Sequence, residues 1–432
     1  MTLLKSENGG WEFYTNGRVN AFFSWAKGQG LPRPPFTAAG QPAYGYPEGV
    51  GGTGFGDSES ASDPVLDPTE TMKIGYTQGE IDTMRIRSGF VGNVLGFGLR
   101  RPFEGTMKAS AYISIWSVVE SFGRRKYYVN NPDVREGWLK LEGPWGSFLG
   151  GKALTLFNRG AGEADFLYLH GYGLGYPGSI GVSGPAAGLI GFGILGPTFS
   201  AGLVYASPPI AGIQLSAGIY DPAQLTGSRF ERTKAVRPEF ELTVDEPLGD
   251  LGKVHLYFNG TMQKLYVSQQ PDAVVTNGAG TFGGSETAKG IGYGGRVEVG
   301  PAHLAAGGHR GLGLGLDFAL QPSPQTYNGI SQLRDSDGYY VIGQVSVGKF
   351  DINAGFGRTR IKPLELDLVA ATDSDYPAFS IIHTQTGYAG AVVFHPMDWL
   401  HFDVDVMHAD FKWTLGDRQR ITFVNAGTTL TW

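Results

Sequence analysis

The sequence contains no cysteine, which excludes a disulfide scaffold, a thiol nucleophile and any thiolate-ligated zinc or iron site. Charge is scarce as well, at 17% against about 25% in soluble domains. A formal net charge of −6 over 432 residues, with both signs mixed along the chain, leaves no basic face for nucleic acid. Helix signals are nearly absent, because hardly any stretch places apolar residues at helical spacing between a cap and a stop. The most apolar window, Ala186 to Ala206, has the length of a membrane helix but is interrupted by repeated glycines and Pro197, so it reads as loop running into strand. The opening Met1-Thr2-Leu3-Leu4-Lys5-Ser6 gives way at once to polar Glu7-Asn8-Gly9-Gly10. That is too short for a secretory signal, and an exported protein would be a mature form with an added Met.

What is abundant is glycine, 68 residues, together with 12% aromatics. Neither disorder nor collagen fits, since aromatics and branched aliphatics are plentiful and no Gly-X-Y period occurs. Packed or membrane-embedded β structure does. From Trp11 to Trp25 the odd positions are largely apolar, while Glu12, Asn16, Arg18, Asn20 and Ser24 mark the even face. Phe13 and Phe23 lie ten steps apart, about 23 Å in height at roughly 45° tilt. The alternation returns in Ala235–Asp245 and Lys253–Gln263, joined by a short turn. Charges on alternate positions of so many strands need water on that side. A soluble sandwich would instead bury the apolar face as its core.

Sixteen strands are predicted, at 11–27, 82–99, 105–120, 134–143, 146–154, 197–206, 211–220, 235–246, 253–267, 289–299, 302–316, 338–348, 350–361, 379–395, 399–413 and 419–432. Short and long connections alternate, the long ones being 28–81, 121–133, 155–196, 221–234, 268–288, 317–337 and 362–378, with only the last, near 414–418, short. An even-stranded transmembrane barrel with tight turns at one end has this rhythm. A sandwich or propeller has no reason to lengthen every second connection. Between Met84 and Arg100 the parity changes, with Arg85 and Arg87 on one set and Leu95 and Leu99 on the other, which predicts a bulge or an interior patch.

At this point the sequence resembles the sixteen-stranded general porins of Gram-negative outer membranes. The resemblance is carried by Gly17-Arg18-Val19-Asn20-Ala21 in the first strand and by the segment from Trp138 to Lys152 around a turn and the fifth strand. There Trp145-Gly146 and Gly151-Lys152 stand where the family usually has Phe-Gly and Gly-Arg. The last strand ends Val424, Ala426, Thr428, Leu430, Trp432 on one face, similar to the family's terminal assembly signal. The resemblance implies a single antiparallel barrel over 1–432 with 28–81 as a long external loop and 155–196 folded into the lumen as a constriction. Carried over by position, Glu163 and Asp165 form the acidic side of that constriction, faced by Arg18, Arg85, Arg87, Lys108 and Lys140, with Lys152 a further candidate. Opposed charges across a narrow water column orient dipolar solutes and tune ion selectivity.

Each assignment has a plainer alternative. A lumenal Arg or Lys is often a solvated wall residue, and Glu163 and Asp165 could lie in an exposed loop. Phe166, Tyr168 and Tyr172 could stack sugars or merely pack the loop on the wall. Asp57, Glu59, Asp63, Asp67 and Glu70 lack calcium-loop spacing and suit a solvated external loop. No His or Ser stands in a catalytic motif, and the glycine string 311–315 precedes no helix, so neither an enzyme nor a cofactor is expected. The resemblance thus implies a passive water-filled channel for small hydrophilic solutes and ions, as a trimer contacting outer-membrane lipid and lipopolysaccharide. A channel selective for sugars or organic acids and a surface adhesin with a closed lumen are the competing expectations.

Overall fold

The computed structural model describes residues 1–5, 10–29, 44–45, 80–89, 92–103, 105–117, 133–167, 188–225, 231–232, 234–267, 284–320, 332–364 and 380–432. Sixteen strands form one antiparallel sheet. They are β1 (Glu12–Gln29), β2 in two segments (Glu80–Arg87 and Asn93–Phe103), β3 (Met107–Ser117), β4 (Asp133–Gly143), β5 (Gly146–Leu154), β6 (Phe199–Ala206), β7 (Ile213–Tyr220) and β8 (Arg237–Pro247). The second half comprises β9 (Gly252–Val267), β10 (Gly284–Val299), β11 (Ala302–Leu312), β12 (Asp335–Val347), β13 (Phe350–Ile361), β14 (Ser380–Met397), β15 (Leu400–Trp413) and β16 (Arg418–Thr431). Each strand pairs with its sequence neighbours, and β1 pairs with β16 from Arg18↔Thr431 to Gly28↔Ile421. The barrel is therefore closed. The backbones of Gly17 and Trp432 exchange two hydrogen bonds at the seam, of 3.2 and 3.1 Å, and closure leaves no sheet edge to be satisfied by lipid.

Alternation decides which face meets the bilayer. Val19 and Phe23 on β1 are half-exposed outward while Asn20 and Ser24 are buried inward, as the odd and even positions predicted. The outer face carries two rows of rings. Phe350, Phe394 and Phe402 follow one another at 4.8 and 6.5 Å near the short turns. Tyr339, Phe356 and Tyr388 do so at 5.9 and 5.2 Å nearer the long connections. Aromatic rings of mixed polarity suit the two interfaces of a membrane.

The parity change in the second strand is a true interruption. Met84 and Ile86 are exposed outward before it and Leu95 and Leu99 after it, so even and odd positions exchange faces. Asn20 of β1 fills the gap: its Oδ1 accepts the Gly89 N–H at 2.8 Å and its Nδ2 donates to the Gly92 carbonyl at 2.9 Å. Gly92 turns the chain with φ of +64°, a conformation that costs glycine little. The predicted strand 82–99 was continuous because periodicity alone does not reveal a side chain that substitutes for a neighbouring backbone.

Candidate functional site

The connection after β5 is described at 155–167 and 188–196, and these parts rest on inward-facing residues of β8 to β15. Inward carboxylates and amides of β8 and β9 supply acceptors for its backbone. Glu239 accepts the Phe157 N–H at 2.8 Å and Asn259 accepts the Asn158 N–H at 3.2 Å. A short helix follows, α1 (Arg159–Ala164), in which Gly160, Ala161, Gly162 and Ala164 are buried. Small residues allow this close approach. A Cβ on Gly160 would lie 2.4 Å from the Tyr257 ring. The helix is also clamped by charge: Arg159 pairs with Glu241 and, at 3.7 Å, with Glu163, while Arg296 donates to the Glu163 carbonyl oxygen at 3.1 Å. Glu239 is further paired with Arg237 at 3.0 Å.

Glu163 and Asp165, expected together on one acidic wall, part company. The Glu163 side chain is 49% exposed. Asp165 is 1% exposed, and its two carboxylate oxygens accept the Leu167 and Leu189 N–H groups, each at 2.8 Å. Burial pushes its carboxyl up to about 7 against the pull of those two hydrogen bonds. Asp165 ties the two halves of the connection together and presents no charge to water. Phe166 is likewise buried, its ring 5.7 Å from His303, so it packs the loop on the wall. Tyr168 and Tyr172 lie outside the described residues, as do Asp57, Glu59, Asp63, Asp67 and Glu70.

The returning half fills one side of the barrel. Leu189, Phe192 and Ile194 join inward Tyr340, Ile342, Met407 and Phe411 in one apolar core. The Gly193 N–H donates to Thr359 at 2.8 Å and the Gly191 carbonyl accepts from Gln385 at 2.8 Å. Inward residues of β12 to β16, polar ones such as Asn353, Asp403 and Asp405 included, are therefore almost wholly buried.

The opposite wall is open. Inward Tyr14, Arg18, Lys108, Tyr112, Trp138 and Lys140 on β1, β3 and β4 all keep intermediate exposure. Lys108 and Lys140 converge on one carboxylate, Glu142, at 3.2 and 2.9 Å, close to the tight turn between β4 and β5. Arg100 and Glu12 form a second pair there at 2.7 Å. The Arg100 guanidinium lies 5.1 Å from the Tyr14 ring centre, and Tyr14, Tyr112 and Trp138 follow at 6.5 and 5.3 Å. Arg85 and Arg87 occupy register positions opposite Ser24 and Phe22 on the inward face of β1; their side chains lie outside the described ones. Lys152 pairs opposite Gly137, on the outward parity of Leu139 and Phe148, because the β4–β5 turn sets that register. Among the described residues no group of three or more His, Asp or Glu could hold a metal ion.

The clamp of Arg159, Glu239, Glu241 and Arg296 was not singled out in the sequence. Its signal was there as the run of alternate charges from Arg237 to Asp245, which needed a partner inside the barrel.

A family model described as Gram-negative porin matches residues 3–386. No curated protein matches in sequence. Among solved structures, the outer membrane channel DcaP of Acinetobacter baumannii superposes with a TM-score of 0.63 at 14% identity over 100% of both chains. The anion-selective porin from Comamonas acidovorans gives 0.57 at 12% identity, covering 98% of this chain and 100% of its own. Salmonella typhi OmpF, in complex with daunomycin, gives 0.55 at 10% identity over 100% of both. At such identities the likeness is one of fold.

Proposed function

The chain belongs to the Gram-negative porin family, outer-membrane channels for passive diffusion of small hydrophilic solutes and ions, and from that premise we propose that its water path runs along the β1–β5 wall. The observation that supports this is the asymmetry of the inner surface: inward residues of β12 to β16 are packed, whereas Tyr14 and Arg18 of β1, Lys108 and Tyr112 of β3, and Trp138 and Lys140 of β4 remain partly exposed. In this reading Glu163 is the acidic side of the constriction. Arg18, Arg85, Arg87, Lys108 and Lys140 are the basic side, with Arg159 and Arg296 holding the helix that presents Glu163. Fixed charges of both signs across a narrow path order water and select among ions and dipolar solutes. Three copies would form the working assembly, in line with a trimer form described for Vibrio cholerae OmpT.

The test uses the absence of native thiols. Trp138→Cys should react with a bulky water-soluble thiol reagent and lower the conductance, whereas Asn353→Cys on the packed wall should not react. Reaction at Asn353→Cys with loss of conductance, and silence at Trp138→Cys, would move the path to the other side. A solute-selective channel is the second reading, favoured by the Tyr14–Tyr112–Trp138 row; block of ion current by a sugar or organic acid, relieved in Trp138→Ala, would establish it.

A further inference from the structure

The wall on which the connection docks carries carboxylates that the proposed water path does not use. On β15 the alternation Phe402, Asp403, Val404, Asp405, Val406 turns both aspartates inward, and they are 3% and 1% exposed. Buried charges are normally paired. Here Asn425 donates to one oxygen of Asp405 at 2.7 Å and itself accepts from Ser24, while the other Asp405 oxygen and both oxygens of Asp403 have no hydrogen-bond partner. Among the described residues neither aspartate forms a salt bridge. The inward histidines one row nearer the short turns are engaged elsewhere, His395 with Asp351 at 2.6 Å and His401 with the Asp398 carbonyl at 3.1 Å.

A third unsatisfied group stands in the same row. Asn353 of β13 pairs in register with Ala391 of β14, and Ala391 with Asp405. Asn353 faces inward at 3% exposure, and neither its carboxamide oxygen nor its nitrogen has a partner. Two strand spacings set the backbones of Asn353 and Asp405 about 10 Å apart, and the inward side chains of a barrel converge over the short Ala391. Four oxygens on one patch of wall are thus unengaged: two of Asp403, one of Asp405 and one of Asn353. The docked connection closes the next row, since a Cβ on Gly355 would meet Leu189 and Leu167 at 3.3 and 3.4 Å.

The chemistry of the set identifies what satisfies it. Protonation would cancel the charge but leave Asp403 a donor whose neighbours across the sheet are Val393 and Gly427, the latter against the Phe22 ring. Water alone would leave two like charges side by side at low dielectric. A divalent cation engages several oxygens at once and balances both charges. Oxygen donors without imidazole or thiolate select a hard ion over zinc, and calcium accepts an irregular oxygen cage where magnesium demands a near-octahedral one. We infer that Asp403, Asp405 and Asn353 bind a calcium ion, which ties β13 to β15 across β14 beneath the docked connection. Water completes its shell, because two carboxylates and a carboxamide are fewer ligands than calcium takes. The inference goes beyond the channel reading and shares no readout with it.

The experiment is equilibrium dialysis of the full chain against radiolabelled calcium, after refolding into detergent in the presence of chelator so that no lipid-bound calcium is carried over. The unaltered protein should bind one calcium per chain more than the Asp403→Asn/Asp405→Asn variant. Asn353→Ala, which keeps both carboxylates, should bind at least about tenfold more weakly. Thermal unfolding of the unaltered protein should move to higher temperature in calcium than in chelator, and that of the double variant should not move. Equal calcium binding by the unaltered protein and the double variant would overturn the site, and unchanged affinity in Asn353→Ala would overturn its third ligand. Displacement of calcium by an equal concentration of magnesium would overturn the choice of ion. If the double variant does not fold, Asn353→Ala and the unfolding of the unaltered protein decide: no shift with calcium would overturn the site.

Discussion

Replacing Glu163 with Gln removes one negative charge from the half-exposed tip of α1 without disturbing the buried face of the helix. For an ion passing at about 7 Å, one unit charge is worth about 0.6 kcal/mol in bulk water and about 1.2 kcal/mol where the wall displaces half of that screening. Salt near 0.1 M, with a Debye length of about 10 Å, roughly halves these figures. Cations lose what anions gain, so the two halves add, and the cation-to-anion permeability ratio should fall about three- to eightfold. The assay is the reversal potential across a planar bilayer under a tenfold salt gradient. Asp165→Asn provides the internal contrast. Its carboxyl is buried and hydrogen-bonded to backbone, so the same measurement should barely move. An unchanged reversal potential in Glu163→Gln would place that side chain away from the narrow section, and a large shift in Asp165→Asn would show that water reaches the buried carboxyl.

Asp165 should also make loop docking depend on pH: with its carboxyl raised to about 7 by burial, docking is strongest below its ordinary value near 3.8 and weakens as pH rises through 7. Single-channel current noise should therefore grow from pH 5 to pH 8, and Asp165→Asn should flatten that trend. Gly160→Val should dislodge α1, because a Cβ there meets the Tyr257 ring at 2.4 Å; an overpacking cost of about 1–3 kcal/mol should appear as unsteady, altered conductance in single-channel records. Cysteines at Leu139 and Lys140 should label oppositely with a charged thiol reagent in membranes, Lys140→Cys reacting and Leu139→Cys protected, since Leu139 is 55% exposed on the outer face. Trp432→Asp should lower the yield of folded barrel in membrane fractions, because Trp432 closes the seam against Gly17.

Strand number and the alternation of connection lengths were legible because a membrane barrel writes them directly: each strand has a lipid face and a water face, and each second turn must be tight. The parity slip around Arg87 and Leu95 was legible for the same reason. The site was legible only in part. A connection of the length of 155–196 contains many charged and aromatic residues, and period-2 reasoning does not apply to it. Burial separates Glu163 from Asp165, two residues apart, and burial follows from which wall the loop docks on. That wall was chosen by Glu239, Glu241 and Asn259, residues that by alternation alone are simply inward and polar. The proposed displacement of the water path toward β1–β5 rests on Leu189, Phe192 and Ile194 packing on the far side. Those residues lie within one apolar window whose sequence announces a loop and a strand but not the surface it covers.

The most direct measurement is single-channel recording of the purified protein in a planar bilayer with salt as the only solute. A water-filled diffusion channel predicts discrete, ohmic open steps whose size rises with salt concentration. A bilayer that stays silent while folded, heat-resistant barrel is demonstrably inserted would contradict it.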